Sequence, residues 1–248
     1  MTLDVHSLSE PLFYCPDLAS AAQTATLDQD ESRHMRGSRR LAVGDSIWLF
    51  DGQGMVGRAT ISTIARERRA VEVTLRARDV MPVPRPQVEL ACALPKGERQ
   101  AVLLDMATQL GMRAFRPLLC ERSVVKPGRK AILRWRRICV EACKQSRRPY
   151  LPALHDPAPL LAVATQTTEA GCAVWVAHPD GVPLAGRDIG KIPDPLLLIV
   201  GPEGGFTDSE ISQIVANGGQ TVSLGAAILR IETAAMALLA YVALHAQL

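Results

Sequence analysis

Aromatic side chains are scarce in this sequence of 248 residues: only 4% are Phe, Trp or Tyr, whereas 48% are hydrophobic. The longest apolar stretch, 234–246, is too short and too rich in alanine for a membrane-spanning helix. No basic segment followed by an apolar one opens the chain, so we expect no secretory signal. The six cysteines lack CxxC spacing, which favours reduced, mostly buried thiols in a cytoplasmic protein. We therefore expect neither a membrane nor a metal ion as a partner.

Net charge is also low, at +3, but it is unevenly distributed. Residues 113–150 contain twelve basic and two acidic side chains, a net charge of +10, whereas residues 151–248 have a net charge of −6. A basic segment of this kind is typical of a protein that binds a polyanion such as RNA. The alternative is a solvated helix face plus a loop, although such faces usually mix both signs.

The first part of the chain has the pattern of short β-strands. Segments 46–54, 55–64 and 70–77 are apolar or alternate with a period near two, and the first ends in Asp51-Gly52, a hairpin signal. A polar turn is expected at 66–69. With so few aromatic residues we expect a small β-barrel over residues 1–78, followed by a proline-rich linker at 79–87.

Residues 88–248 have the alternating pattern of an α/β domain. Apolar strands are expected at 88–94, 114–120, 171–179, 195–201 and 221–225, and helices at 99–110 and 130–147 and after the last two strands. Val102, Leu103, Met106 and Leu110 are expected on the buried face of the first helix. Buried strands that alternate with helices predict a parallel sheet covered on both faces.

The segment LLLIVGPEGGFTDSEI, 196–211, is the most informative for function. A strand leads into three glycines within five residues, and Thr207 and Glu210 have the spacing of a capping box that starts a helix. The glycines allow the backbone to approach a ligand closely. Neither G-x-G-x-x-G nor GK[ST] is present, which argues against a Rossmann fingerprint and a P-loop. A tight strand-to-helix turn without a ligand is the alternative.

A second segment, 221–244, repeats this order of strand, glycine turn and helix. Two such turns at the carboxyl ends of neighbouring parallel strands form a crevice, the usual ligand site of open α/β sheets. Arg230 and Glu232 lie at the start of the last helix and are candidates for chemistry, although a structural ion pair between them is the alternative. That helix is apolar on more than one face, which predicts a homodimer.

Five ordered motifs resemble those of the RsmE family, bacterial 16S rRNA uridine-N3 methyltransferases of the SPOUT superfamily. Together they extend over nearly the whole chain. They are HMRGSRRLAVGD (34–45), ALPKGER (93–99), ATQLGMRAFRPLLCERSVVK (107–126), RWRRICVEACKQSRRPYLP (134–152), and GPEGGF followed by SLGAAILRIETA (201–206, 223–234). The resemblance implies an N-terminal PUA-like β-barrel domain and a C-terminal SPOUT domain with a deep trefoil knot, active as a homodimer.

The resemblance also implies S-adenosylmethionine as the cofactor. His178, at the end of a predicted strand, is a candidate for a further wall of its site, although a structural role is the favoured alternative for a lone histidine. The residues that would bind it are Val200, Gly201, Glu203, Gly204, Gly205, Leu224, Gly225, Ile228 and Leu229. The implied reaction is methylation of uracil N3 in 16S rRNA, and the site must promote loss of the N3 proton and stabilise the charge on O2 and O4. We expect Arg230 to stabilise charge and Glu232 to act as a base or an orienting group.

The basic segment and the matched motifs together assign RNA contacts to Arg40, Lys96, Arg122, Lys126, Arg147 and Arg148. Ala227 and Ile231 differ from the residues usual in the family. These differences favour one alternative, a non-catalytic module that binds RNA or assists assembly of the small ribosomal subunit. Another alternative is a SPOUT methyltransferase acting on ribose or on a different base.

Overall fold

A computed structural model of the protein describes residues 10–37, 41–65, 70–126, 128, 130–185 and 192–246. The chain forms two compact units, one of residues Met1–Val83 with Val140–Leu151 and the other of Pro84–Cys139 with Pro152–Leu248. The expected turn at 66–69 and Arg40 lie outside the described residues. No helix in the described ranges combines the length and apolarity needed to cross a membrane.

The first unit is built on a five-stranded sheet in the order β1-β3-β4-β5-β2. The predicted hairpin is present, since β3 and β4 pair antiparallel and the carboxylate of Asp51 accepts backbone N–H bonds from Gln53 at 2.6 Å and Met55 at 3.0 Å. Apolar side chains from every strand and the helix pack into one core. The elements are β1 (Leu12–Tyr14), β2 (Thr24–Leu27), α1 (Gln29–Gly37), β3 (Ser46–Phe50), β4 (Met55–Ala65) and β5 (Ala70–Val80).

Residues Val140–Leu151 belong to the first unit although they follow the proline-rich linker in sequence. Lys144 donates to Glu31 at 2.9 Å, and both side chains are almost fully buried. The Tyr150 hydroxyl donates to the Met81 carbonyl at 2.7 Å. The assignment of this segment was not foreseen from the sequence, because its partners are more than 60 residues away.

The second unit contains the predicted parallel sheet, with the order β12-β10-β11-β6-β7-β8, and β9 pairs with β7. Its strands are β6 (Val88–Cys92), β7 (Ala114–Leu119), β8 (Ala153–Leu154), β9 (Ala158–Pro159), β10 (Ala173–Pro183), β11 (Leu196–Val200) and β12 (Gln220–Ser223). Its helices are α2 (Arg99–Gln109), α4 (Leu160–Glu169), α5 (Asp208–Ala216) and α6 (Ile231–His245), whereas α3 (Ala131–Ser146) extends from this unit into the first.

Most predicted elements are confirmed, but the predicted apolar face of α2 is only partly correct, since Leu103 is buried as expected and two of its other members are not. Leu103, Leu104, Ala107 and Thr108 form the buried face, whereas Val102 and Met106 are exposed. The sequence pattern was ambiguous because apolar residues occur on both sides of this helix.

All six cysteines are free thiols, and five of them are buried, as predicted. Burial raises the pKa of Cys120 to about 12 and that of Cys15 to about 11. Both thiols therefore stay protonated at neutral pH and are poor nucleophiles.

Candidate functional site

A cavity of about 370 Å³ lies in the second unit, where β11 and β12 end and beside residues 177–179 of β10. The two glycine turns predicted from sequence, after β11 and after β12, form its walls. Within the described part of the chain its lining is mainly apolar. The lining residues are Ala177, His178, Pro179, Val200, Gly201, Pro202, Glu203, Gly205, Phe206, Val222, Leu224, Gly225, Ala226, Ala227, Ile228, Leu229, Ile231 and Ala234.

The first turn requires glycine at two positions, for different reasons. A Cβ on Gly201 would lie 2.8 Å from the ring of Phe206, and Gly205 has φ +71°, a conformation that favours glycine. The predicted capping box is confirmed: the Thr207 hydroxyl accepts from the backbone N–H of Glu210 at 3.2 Å, and the Glu210 carboxylate accepts from the N–H of Thr207 at 2.8 Å. Local hydrogen bonds thus define where the turn ends and α5 begins.

Glu121 and Arg122, which lie outside the cavity, stabilise this turn by hydrogen bonds. Arg122 Nη1 donates to the carbonyl of Gly204 at 2.9 Å, and the backbone N–H of Glu121 donates to Glu210 at 2.9 Å. Gly204 thus faces Arg122, whereas the other eight residues predicted to bind cofactor line the cavity. A guanidinium assigned to RNA from the sequence therefore also supports the glycine turn.

A second, open pocket of about 530 Å³ adjoins the first. It is lined by Arg99, Glu203, Ile228, Leu229 and Arg230, and three of these residues also line the first cavity. Arg99 Nη2 lies 3.0 Å from Glu203 Oε1. Two guanidinium groups and a carboxylate are thus next to an apolar cavity, separated from it by a shared wall.

The two predicted catalytic residues have different surroundings. Arg230 is exposed and forms the N-cap of α6 in extended conformation. Glu232 is only 14% exposed, and its Oε1 lies 3.8 Å from Arg99 Nη1. Glu232 therefore faces Arg99, and the ion pair considered from the sequence gives way to a contact with a residue on another helix.

The predicted RNA-contact residues are divided between the two units. Lys96 and Lys126 are exposed in the second unit. Arg147 and Arg148 are half-buried in the first unit, where Arg147 donates to the carbonyl of Glu10 at 2.6 Å and burial lowers the pKa of Arg148. Among the described members of this set, the two lysines are therefore more accessible to a ligand than the two arginines.

Arg99 is the main residue that sequence reasoning missed. It belongs to the motif ALPKGER and begins α2, just beyond the carboxyl end of β6. Because β6 is the neighbour of β11, that position lies beside the glycine turn. The strand order was the missing information, since it is the adjacency of β6 and β11 that brings Arg99 to Glu203.

Comparisons with known proteins agree with this arrangement. A family model described as an RNA methyltransferase domain matches residues 82–243, and one described as an RNA methyltransferase PUA domain matches residues 27–74. The ribosomal RNA small subunit methyltransferase E of Synechocystis is 37% identical over 231 residues, 88% of this chain and 72% of that protein. The Mycobacterium bovis protein of the same name is 34% identical, over 90% of this chain and 87% of that protein.

Solved structures show the same fold. The ribosomal RNA small subunit methyltransferase E of Neisseria gonorrhoeae, bound to S-adenosylmethionine, has a TM-score of 0.84 at 27% identity and covers 94% of this chain and 96% of its own. A Legionella pneumophila methyltransferase with bound S-adenosylmethionine also has a TM-score of 0.84, at 28% identity, and covers 96% and 98%. The resemblance found in the sequence is confirmed: this chain belongs to the RNA methyltransferase family that includes the ribosomal RNA small subunit methyltransferases E.

Proposed function

We propose that this protein transfers a methyl group from S-adenosylmethionine to N3 of a uridine in 16S rRNA of the small ribosomal subunit. The observation that carries the proposal is the pair of adjoining pockets, one apolar and lined by glycine turns, the other open and charged. Two relatives of the same fold bind S-adenosylmethionine, and relatives at 34–37% identity are small subunit methyltransferases.

The first cavity suits the cofactor because its lining combines backbone groups with apolar walls. Leu224, Ile228 and Leu229 would enclose the adenine, and the turns after β11 and β12 would offer backbone N–H and C=O groups to its polar edge. The bound cofactor supplies an activated methyl group on a sulfonium. The chain's own task is to hold this group at the boundary with the second pocket and to exclude water from the apolar side.

The second pocket would receive the base. Uracil N3 carries a proton and becomes a nucleophile only as that proton is lost, which leaves negative charge on O2 and O4. Arg230 lines this pocket and would stabilise that charge. Glu232, largely buried against Arg99, is better suited to orient that arginine than to touch the substrate. The N3 edge is occupied in a base pair, so the target uridine must be unpaired or flipped.

RNA would bind through both units. We infer that residues 1–78 form the PUA-like RNA-binding domain, that 79–87 are the linker and that 88–248 form the methyltransferase domain, except that residues 140–151 pack with the first unit. Lys96 and Lys126, together with Arg40, Arg122, Arg147 and Arg148, would contact phosphates. Because ribosomal RNA matures in the cytoplasm, we infer that the protein acts there.

We also infer a homodimer, because several large apolar side chains of the second unit are exposed in the single chain. Ile228, which lines both pockets, is 97% exposed, and Val102, Met106 and Leu244 are exposed as well. A second copy would cover such residues. Light scattering at micromolar concentration should give twice the monomer mass, and a monomer would contradict the inference.

The reaction is tested by nucleoside mass spectrometry of 16S rRNA from a strain in which the gene is deleted. We expect 3-methyluridine to be absent and to return when the wild-type gene, but not a gene encoding Arg230→Ala, is restored. Calorimetry with purified protein should show binding of S-adenosylmethionine. Unchanged 3-methyluridine in the deletion strain would contradict the proposal, and failure to bind S-adenosylmethionine would favour a non-catalytic role.

A further inference from the structure

The open pocket combines groups of opposite hydrogen-bonding character. Arg99 and Arg230 present guanidinium groups, which only donate hydrogen bonds. Glu203 presents a carboxylate, which in its ionised form only accepts them. Glu203 is 40% exposed and belongs to the linings of both pockets. The pocket thus offers one acceptor and donors from two different elements, at the wall shared with the apolar cavity.

Uracil has the complementary pattern on its Watson–Crick edge. O4 and O2 are acceptors, and N3–H between them is a donor. A carboxylate directed at N3–H, with guanidinium groups directed at the two carbonyl oxygens, would satisfy all three positions. Cytosine keeps the O2 acceptor but presents an amino group in place of O4 and an unprotonated N3. Two of the three positions would therefore place donor against donor or acceptor against acceptor.

Building on the function proposed above, we propose that Glu203 accepts the N3 proton while Arg99 and Arg230 donate to the two carbonyl oxygens of the uracil. Glu203 is then the base, and Arg99 has the additional task of holding its carboxylate at 3.0 Å. This differs from the expectation from sequence, which gave the role of base to Glu232 and placed Glu203 against the cofactor.

Burial and position favour Glu203 over Glu232 as the group that touches the base. Glu232 is 14% exposed, and its Oε1 lies 3.8 Å from Arg99 Nη1. Glu203 belongs to the glycine turn after β11, which also lines the apolar cavity. A base at that position would be next to the methyl group during transfer.

The step balances without any further reactant. The N3 proton moves to the Glu203 carboxylate, the electron pair left on N3 forms the bond to the methyl carbon, and the electron pair of the broken methyl–sulfur bond stays on sulfur. A carboxylate is a weak base towards free uracil, but the N3 proton becomes more acidic as the new bond forms. General-base assistance of this kind typically contributes 10²- to 10⁴-fold to the rate.

The test uses two matched variants, Glu203→Gln and Glu232→Gln, in the full-length protein. Each is assayed with small subunits reconstituted from 16S rRNA transcripts that contain uridine or 5-fluorouridine. Fluorine withdraws electrons and makes N3–H more acidic, so a missing base matters less on the fluorinated RNA. S-Adenosylmethionine binding is measured for each variant by calorimetry.

We expect Glu203→Gln to lower kcat on uridine RNA by about 10²-fold or more, with cofactor affinity near that of the wild type. The ratio of its rates on fluorouridine and uridine RNA should exceed the ratio found for the wild type and for Glu232→Gln. A merely structural role for Glu203 would lower both rates equally and leave that ratio unchanged.

Three results would overturn the inference. They are wild-type kcat in Glu203→Gln, loss of cofactor binding by that variant, and an increased fluorouridine ratio in Glu232→Gln instead. Wild-type activity on uridine RNA separates the two proposals: if the wild type forms no 3-methyluridine, the proposed function itself fails. If the wild type is active and Glu203→Gln is equally active, only the assignment of Glu203 fails.

Discussion

The glycine turn at 201–205 and the basic segment at 113–150 are used in contrasting ways. Residues of the turn converge on one cavity and share it with the turn after β12. The basic residues disperse instead, and many are engaged within the protein. Internal partners are Glu89 for Arg116, Glu98 for Arg134, Glu31 and Glu141 for Lys144, the carbonyls of Gly204 and Phe206 for Arg122, and the carbonyl of Glu10 for Arg147.

The difference has a physical origin. The geometry of a tight turn depends on backbone conformation and on hydrogen bonds between residues close in sequence. It can therefore be predicted from the local sequence. A long charged side chain pairs with whichever carboxylate or carbonyl the tertiary structure brings near it. The net charge of +10 over residues 113–150 therefore overestimates the number of side chains available to a polyanion. Three glycines in five residues, in contrast, correctly mark a turn that lines the cavity.

The largest expected effect is in the basic segment and concerns folding. Lys144→Met should lower the free energy of unfolding by about 3–5 kcal/mol, because it leaves the carboxylate of Glu31 buried without its cation. Lys144 is 7% exposed and Glu31 5%. Urea denaturation at pH 7 measures the change, and Glu141→Gln, which removes the 56% exposed partner of the same lysine, should cost less than about 1 kcal/mol.

The loss of stability caused by Lys144→Met should also depend on pH. Burial already raises the pKa of Glu31 above 4.5 even with Lys144 beside it. A raised pKa in the folded state adds stability below the unfolded pKa, and that contribution is lost as pH rises through the folded pKa. Lys144→Met raises the folded pKa further, so its deficit should be smaller at pH 5 than at pH 7. A deficit that is constant with pH would show that Glu31 is not the cause.

The next largest effect is at the site beside the glycine turn. Arg230→Ala should lower kcat by about 10²-fold or more, the scale of removing one donor that stabilises the transition state. Arg230 is exposed, so the melting temperature and cofactor affinity should stay near those of the wild type. Full kcat in both Arg230→Ala and Arg230→Lys, with a lower melting temperature, would assign the residue a structural role.

A smaller effect is expected within the turn itself. Gly201→Ala should destabilise the protein by about 1–3 kcal/mol, as overpacking does, because its Cβ would approach the Phe206 ring to 2.8 Å. Gly204→Ala is the matched control, since its Cβ would come no closer than 3.5 Å to Arg122. Thermal unfolding and calorimetry with S-adenosylmethionine compare the two, and equal losses would contradict the steric argument.

The smallest effect tests which basic residues contact RNA. Lys126→Ala should flatten the log–log dependence of RNA affinity on salt by about 0.7–0.9, the amount for one phosphate contact. Arg116→Ala should leave the slope unchanged, because Arg116 is paired with Glu89 at 2.6 Å. Filter binding across a range of salt concentrations provides the slopes. If both substitutions reduced the salt dependence of RNA affinity equally, the basic segment would act as one charged surface and this prediction would be wrong.

Much of the second unit was predictable because its signals are local. Strands β6, β7, β11 and β12, the capping box at Thr207 and the helices after the glycine turns follow from hydrophobic runs and turn residues. The buried face of α2 could not be predicted, because Val102 and Leu104 are both apolar and lie on different sides of the helix. Packing against α6 decides which of the two is buried.

What the sequence determined by itself was the α/β class and the two glycine turns. Of the nine residues that the family resemblance assigned to the cofactor, eight line the cavity. Turns and hydrophobic periodicity involve residues that are neighbours in the chain, so they can be predicted without knowledge of the tertiary structure. Tertiary structure alone decided that Arg99 contacts Glu203 and Glu232, that Lys144 is buried against Glu31, and that residues 140–151 join the first unit. Each of these contacts joins residues more than 60 positions apart, and nothing in local sequence specifies such a pairing before the strands have taken their order.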